Sequence, residues 1–202
     1  PMANAFLIEC SAAGKLSEFD QITVQGDRGR GDAMATIIKS GEWVAKKALY
    51  PEGREKINVL YENTVYLKQN GVPTAEAHLK DDEFVTSYID GQIATEYFRE
   101  LLRNNKQSFL DELKAFQQMI LSSSEHVPYE EVNWRQFEPW WEKRKKDDPN
   151  IDQWQKRAFG TQEEKRNIGI ILKRGYIDMV SLNCFYTEKG FVFFDQEFVI
   201  EN

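Results

Sequence analysis

Cysteine is almost missing from this chain. Only Cys10 and Cys184 occur in 202 residues, far apart and without metal-ligand spacing. A disulfide framework is therefore excluded, and a reduced, cytoplasmic setting is the default expectation. Histidine is equally scarce: His78 and His126 stand alone, so neither a metal pair nor a Ser-His-Asp set is legible. No apolar run approaches the roughly 18–20 residues of a membrane span, and no signal peptide opens the chain. It begins with Pro1, as a processed chain or a piece of a longer one would. Basic charge is short as well, with 26 Lys and Arg against 33 Asp and Glu, a net charge of −7 and a pI of about 5.1. A duplex nucleic-acid binder carries a basic field, so nucleic acid is not an expected partner. Internal repeats and low-complexity tracts are also absent.

What is present suffices for a core: 41% of residues are hydrophobic and 13% aromatic. The first half reads as a sheet with one helix. "AFLIEC" (5–10) is a short apolar strand candidate. "FDQITVQG", "AMATIIKSG" and "EWVAKKALY" follow as strands, with the Gly-rich turn "DRGRGD" after the first and the hairpin turn "KSGE" after the second. "EGREKINVLYENTVYLKQNG" predicts a helix over roughly 54–69, capped at "NG" with Pro73 beyond. "AEAHL" and "EFVTSYI" form a hairpin around "KDD", and "DG" at 90–91 ends the sheet. The order is β-β-β-α-β-β, and a lobe boundary is expected near Asp90–Gly91.

The second half is mostly helical by pattern. "QIATEYFRELLRN" and "SFLDELKAFQQMIL" carry apolar residues at helical spacing. "YEEVNWRQFEPWWEKRKK" predicts another helix, interrupted near Pro139. Asp148 before Pro149 marks a helix start. "TQEE" (161–164) is a capping box ahead of the helical "KRNIGIILKR", which Gly175 stops. Trp134, Trp140, Trp141 and Trp154 read either as packing or as the lining of an acceptor pocket. The run "KRKK" (143–146) reads as a solvated face or as a contact for an acidic glycan or lipid headgroup.

The chemistry-bearing residues gather near the end. In "GYIDMVSLNCFYTEKGFVFFDQEF" (175–198), Asp178 and Asn183 obey D-x-x-x-x-N, and Asp195 follows twelve positions after Asn183 across a predicted hairpin. Apolar strands do not need carboxylates at their ends. The hairpin brings Asn183 and Asp195 together, with Asp178 further toward solvent, and like charges so placed need a cation or hydrogen bonds. An amide and a carboxylate suit Mg²⁺, which prefers oxygen ligands, and a second carboxylate can orient a hydroxyl. Upstream, "GDRGRG" (26–31) is either a flexible hairpin loop or a turn whose Gly29 and Gly31 let backbone N–H groups approach phosphates. In "VAKK", alternation with an inward Ala45 predicts that Lys47, not Lys46, faces inward. Glu62 on the following helix is in position to pair with Lys47, with Glu55 as competitor. Cys184 reads as a buried small side chain rather than a nucleophile.

On these motifs the chain resembles the protein-kinase-like superfamily, nearest the aminoglycoside and small-molecule kinase branch. "EFVTSYIDG" (83–91) looks like that branch's last sheet strand and hinge, and "FFDQEF" (193–198) like its "I-D-W-E" element, with Glu197 at the second acidic position. The resemblance implies an α+β, two-lobed fold: a sheet-rich nucleotide-binding lobe at 1–90 and a shortened helical lobe at 91–202. It implies an ATP-dependent phosphotransferase acting on a hydroxyl of a small molecule or glycan. Gly29, Gly31, Ala45, Lys47, Glu62 and Ser87 would serve ATP, Asn183 and Asp195 would hold Mg²⁺, and Asp178 would be catalytic. Kinase-like segments of this kind are also similar to parts of bacterial cell-surface-glycan enzymes, fused to methyltransferase or glycosyltransferase domains. Departures from the pattern exist: Tyr176–Ile177 replaces the usual His or Arg before the aspartate, "MVSL" lacks the usual Lys, His or Pro, and no activation segment follows Asp195. These departures support an alternative, a kinase-like binding or regulatory module without turnover.

Overall fold

The protein is described by a computed structural model that covers residues 19–26, 28–139, 142, 150, 153, 160 and 169–201. The strand expected at 5–10, Cys10, Trp140, Trp141, Trp154, the run 143–146, the helix start at 148–149 and the capping box at 161–164 lie outside the described residues.

Five antiparallel strands form the first sheet: β1 (Gln21–Gln25), β2 (Met34–Lys39), β3 (Trp43–Ala48), β4 (Ala77–Lys80) and β5 (Glu83–Ser87), in the spatial order β1-β2-β3-β5-β4. Tight turns set its register. Gly41, at φ +76°, turns β2 into β3 so that Lys39 pairs with Trp43. Asp81 and Asp82, both at positive φ, turn β4 into β5. Aspartate tolerates this left-handed region better than most side chains.

Helix α1 (Arg54–Gln69) lies between β3 and β4 in sequence. Its buried residues Ile57, Leu60, Asn63, Thr64 and Leu67 recur at helical spacing, which gives one inward stripe. The helix ends where the sequence predicts: Val72 N–H returns to the Leu67 carbonyl and Gly71 takes φ +79°. Ile57 and Leu60 pack with Met34 and Phe84 of the sheet. Leu67 belongs to a second cluster with Val72, Phe98, Phe116, Met179, Phe191 and Phe193. One helix therefore joins the sheet to the residues that carry the C-terminal hairpin.

After the sheet, β6 (Gln92–Ile93) leads into α2 (Ala94–Asn104) and α3 (Lys106–Leu121). The Asn105 side chain caps α3 by accepting from Ser108 N–H. The strand β7 (Arg174–Tyr176) precedes the loop of Asp178. The hairpin β8 (Cys184–Thr187) and β9 (Gly190–Phe193) follows it, and β6 pairs with β8. A short β10 (Val199–Glu201) closes the described chain. Chain contacts divide these residues into two compact units. One comprises the described residues of 19–123 with Tyr176–Val199, and the other those of 124–175 with 200–201.

Within the second unit two expectations are corrected. Over residues 129–137 the helix predicted from "YEEVNWRQFEPWWEKRKK" is instead a pair of short 3₁₀ turns, Tyr129–Glu131 and Trp134–Phe137, while Glu138 and Pro139 are helical. Pro128 and Asn133 break the pattern, and Trp134 packs on Tyr129 with ring centroids 5.0 Å apart. The end of the helix predicted over 165–174 is extended. Val127 N–H donates to Ile171 and Lys173 N–H to Glu125, so backbone pairing takes the groups a helix would use. Gly175 is accordingly a strand residue and not a helix stop. Among the described residues no helix is long and apolar enough to cross a membrane.

Candidate functional site

The site lies within the first unit, where β3 faces the end of the β8–β9 hairpin. Pairing of Cys184 with Phe193 sets the hairpin, and Phe194 N–H donates to the Asn183 carbonyl at 3.0 Å. Asn183 and Asp195 are thereby brought to one end of the hairpin, at the two strand termini. The Asn183 amide nitrogen donates to the Asp178 carbonyl at 3.2 Å, which closes the intervening loop and leaves the amide oxygen as an acceptor. Asp195 sits at φ +61°, a left-handed backbone that costs energy in a non-glycine residue.

Lys46 of β3 reaches the Asp195 carboxylate, 149 positions away in sequence, and also donates to Glu197 at 3.2 Å. Val44, Phe84 and Thr86 share its side of the sheet. With Thr64, Ala75, Phe193, Phe194 and Asp195 they line a small cavity of about 40 Å³. Lys47 alternates to the other side, is exposed, and pairs with Glu83 at 2.8 Å. The predicted register is thus off by one residue. Ala45 was the marker for the inward face, and it is indeed buried, but with Lys47 and away from Asp195. Ala45 is the one buried residue of β3 and lies on the side away from Asp195, so burial within the strand did not identify the cleft side. Glu62 and Glu55 point to the exposed side of α1 and have no ion pair with Lys46 or Lys47.

The carboxylate that α1 does not provide comes from Glu197. Its side chain is only 5% exposed, yet it faces three cations. Lys46 lies at 3.2 Å, Lys56 of α1 at 2.9 Å and Arg28 of the Gly-rich turn at 3.1 Å. Lys56 also pairs with Asp32 at 2.6 Å. Burial alone would raise the Glu197 carboxyl, but the Lys46 and Lys56 ammoniums outweigh it and hold the group at about 2. Asp195 moves the other way, upward, through burial and the nearby Glu197 charge, against the pull of Lys46. Asp178 is also raised, chiefly by burial, although Oδ2 accepts from the Phe198 and Glu197 N–H groups at 3.1 and 3.2 Å.

Gln196, between the two acids, is 1% exposed. Its side-chain amide nitrogen donates to the Asp178 and Phe194 carbonyls, and its main-chain carbonyl accepts from the Asn63 side chain of α1 at 2.9 Å. Asp178, Asp195 and α1 are therefore fixed to one another by polar contacts. Neither Glu197 as the partner of Lys46 nor Gln196 as a tie was read from the sequence. A signal did exist: Lys56 stands on the buried stripe of α1, one turn before Leu60, and a lysine there requires an inward anion.

Other expected residues are placed as follows. Gly29 and Gly31 lie in the turn between β1 and β2 that also carries Arg28. Ser87 does not join Lys46. It accepts from Glu76 N–H and lines a separate cleft of about 670 Å³ with Tyr88–Gly91 and Thr187–Lys189. Cys184 is fully buried, and burial pushes its thiol up to about 12, so it is no nucleophile. Among the described residues no three His, Cys, Asp or Glu side chains form a metal cluster. Asn183 and Asp195 alone provide two oxygen donors. That fits Mg²⁺, which takes few protein ligands and completes its shell with water and phosphate.

No family model matches the sequence, and no curated protein matches it. Among solved structures, the chain is similar to an aminoglycoside phosphotransferase, the streptomycin–ATP–APH(2″)-IIa ternary complex. The likeness has a TM-score of 0.57 at 13% identity and covers 97% of this chain and 73% of that one. The chain thus has an α+β, kinase-like fold, with an antiparallel N-terminal sheet and one helix packed on it.

Proposed function

We propose that this chain is an ATP-dependent phosphotransferase acting on a hydroxyl of a small molecule or glycan. The observation that carries the reading is the meeting of Lys46 of β3 with Asp195, just past β9 and far away in sequence, beside Asn183 and in a fold shared with a solved ATP complex. In this reading residues 1–90 bind the nucleotide and 91–202 carry the catalytic loop. Lys46, rather than Lys47, holds the α- and β-phosphates, with Glu197 fixing its position. Asn183 and Asp195 are the residues that would hold Mg²⁺, which neutralises charge on the transferring phosphoryl group when bound. Asp178 orients the acceptor hydroxyl and takes its proton as the oxygen attacks the terminal phosphorus and the bond to the ADP oxygen breaks. Its raised pKa suits that role, because a carboxylate of higher pKa is a better base. Gly29 and Gly31 allow the turn to approach the phosphates.

A second reading is a kinase-like module that binds but does not turn over, attached to a glycan-modifying methyltransferase or glycosyltransferase. It is favoured by the two backbone N–H groups already engaged on the Asp178 carboxylate. ADP release measured against a panel of sugars and glycan fragments separates the two. The first reading expects one acceptor class to raise ADP release, and Asp178→Asn to remove turnover while sparing ATP binding. ATP binding without turnover on any acceptor supports the module.

A further inference from the structure

We propose that Arg28, paired with Glu197, is a phosphate-binding residue of the nucleotide site that exchanges this carboxylate for a phosphate. The inference rests on the reading of the cleft as an ATP site and adds a side chain from the Gly-rich turn. Glu197 faces three cations, more than one carboxylate needs. Two of them are committed elsewhere as well, Lys46 to Asp195 and Lys56 to Asp32. Among the described residues, the only ion-pair partner of Arg28 is Glu197.

Exposure decides which cation is free to move. The side chains of Lys46 and Lys56 are 12% and 10% exposed, whereas that of Arg28 is 41% exposed. Arg28 can leave Glu197 at small cost, because water already reaches it. Its departure leaves Glu197 facing two ammoniums, so no buried charge is stranded. The turn leaves open space beside it: Gly26 and Gly29 have no heavy atom within 4 Å of where a Cβ would stand. The other arginine of the turn, Arg30, stands outside the Glu197 cluster. It is bound to Glu52 through two nitrogens, at 2.8 and 3.4 Å, and lies over the Tyr50 ring. A guanidinium matches a phosphate edge through two parallel N–H bonds, which suits Arg28 to a triphosphate arriving beneath the turn.

The test is titration of ATP, adenosine and inorganic tripolyphosphate into the parent, Arg28→Ala and Arg28→Lys, with Mg²⁺ present. Arg28→Ala should weaken ATP and tripolyphosphate by about tenfold and leave adenosine unchanged, and Arg28→Lys should recover part of the loss. Equal ATP affinity in all three proteins, or a loss of the same factor for adenosine, overturns the proposal while leaving the ATP site standing. A parent that binds neither ATP nor tripolyphosphate removes the phosphotransferase reading, and this proposal with it.

Discussion

Glu197 is the residue on which the local charge balance turns. Substituting it by Gln takes the shared carboxylate from Lys46, Lys56 and Arg28 at once; Lys46 keeps Asp195 and Lys56 keeps Asp32, so the cost approaches but does not exceed the about 3–5 kcal/mol of a broken buried ion pair. Asp195→Asn is a milder change, because Lys46 keeps Glu197 and a carboxyl with a raised pKa is lost. Denaturant midpoints should therefore fall steeply for Glu197→Gln and move by less than about 1 kcal/mol for Asp195→Asn. The reverse order would mean that Asp195, not Glu197, anchors the cluster. The pH dependence follows from the same shifts. A depressed carboxylate contributes stability that is present above its unfolded value and lost as pH falls through its folded value. For Glu197 that loss runs from about 4.5 down to about 2. Asp178 and Asp195 are raised, so their ionisation costs stability at neutral pH, and that cost is relieved as pH falls through their folded values toward the ordinary value of 3.8. The parent should therefore lose stability between about 4.5 and about 2, and Glu197→Gln should lack that step.

At the scale of the element, β3 and its lysines offer a direct comparison. Lys47→Met removes only an exposed pair with Glu83, worth about 0–1 kcal/mol, and should leave nucleotide affinity unchanged. Lys46→Met should abolish measurable nucleotide binding. Equal effects at the two positions would return the register to the one predicted from Ala45. The β6–β8 contact gives a second comparison. A Cβ on Gly91 would lie 2.7 Å from the Tyr186 carbonyl oxygen and 3.0 Å from Thr187 Cγ2, so the backbone must shift to admit it. Gly91→Ala should cost about 1–3 kcal/mol by thermal or chemical unfolding, and a neutral result would show that β6 is free to give way. The glycine of "YIDG" thus reads as a point of close approach. Elements with a local cause were legible in the sequence: α1 has its apolar stripe and its Asn70–Gly71 end, and the strands have their turns. Elements whose form depends on partners were not. The segment 171–173 looks helical by itself, and becomes extended because residues 125–127 take its backbone groups. Lys46 and Lys47 are locally equivalent, and only the position of Asp195 tells them apart.

For the whole molecule, the arrangement links distant parts of the chain through one polar cluster. The Gly-rich turn, β3 and α1 each place a cation on Glu197 or Asp195, which the segment after β9 carries. The D-x-x-x-x-N spacing and the hairpin made Asp178, Asn183 and Asp195 legible as a set, since their proximity follows from strand pairing. The cations facing them were not, because each comes from a separate element and only the fold brings them together. Ligand binding to such a cluster should stabilise the whole unit, and a nucleotide at 100 times its dissociation constant adds about 2.7 kcal/mol. The most direct measurement is calorimetric titration of ATP into the parent and into Asp195→Asn, each with and without Mg²⁺. The account predicts binding by the parent that strengthens with Mg²⁺, and loss of that metal dependence, by about tenfold in affinity, in Asp195→Asn. Identical Mg²⁺-dependent affinity in both proteins, or no ATP binding by the parent, would contradict it.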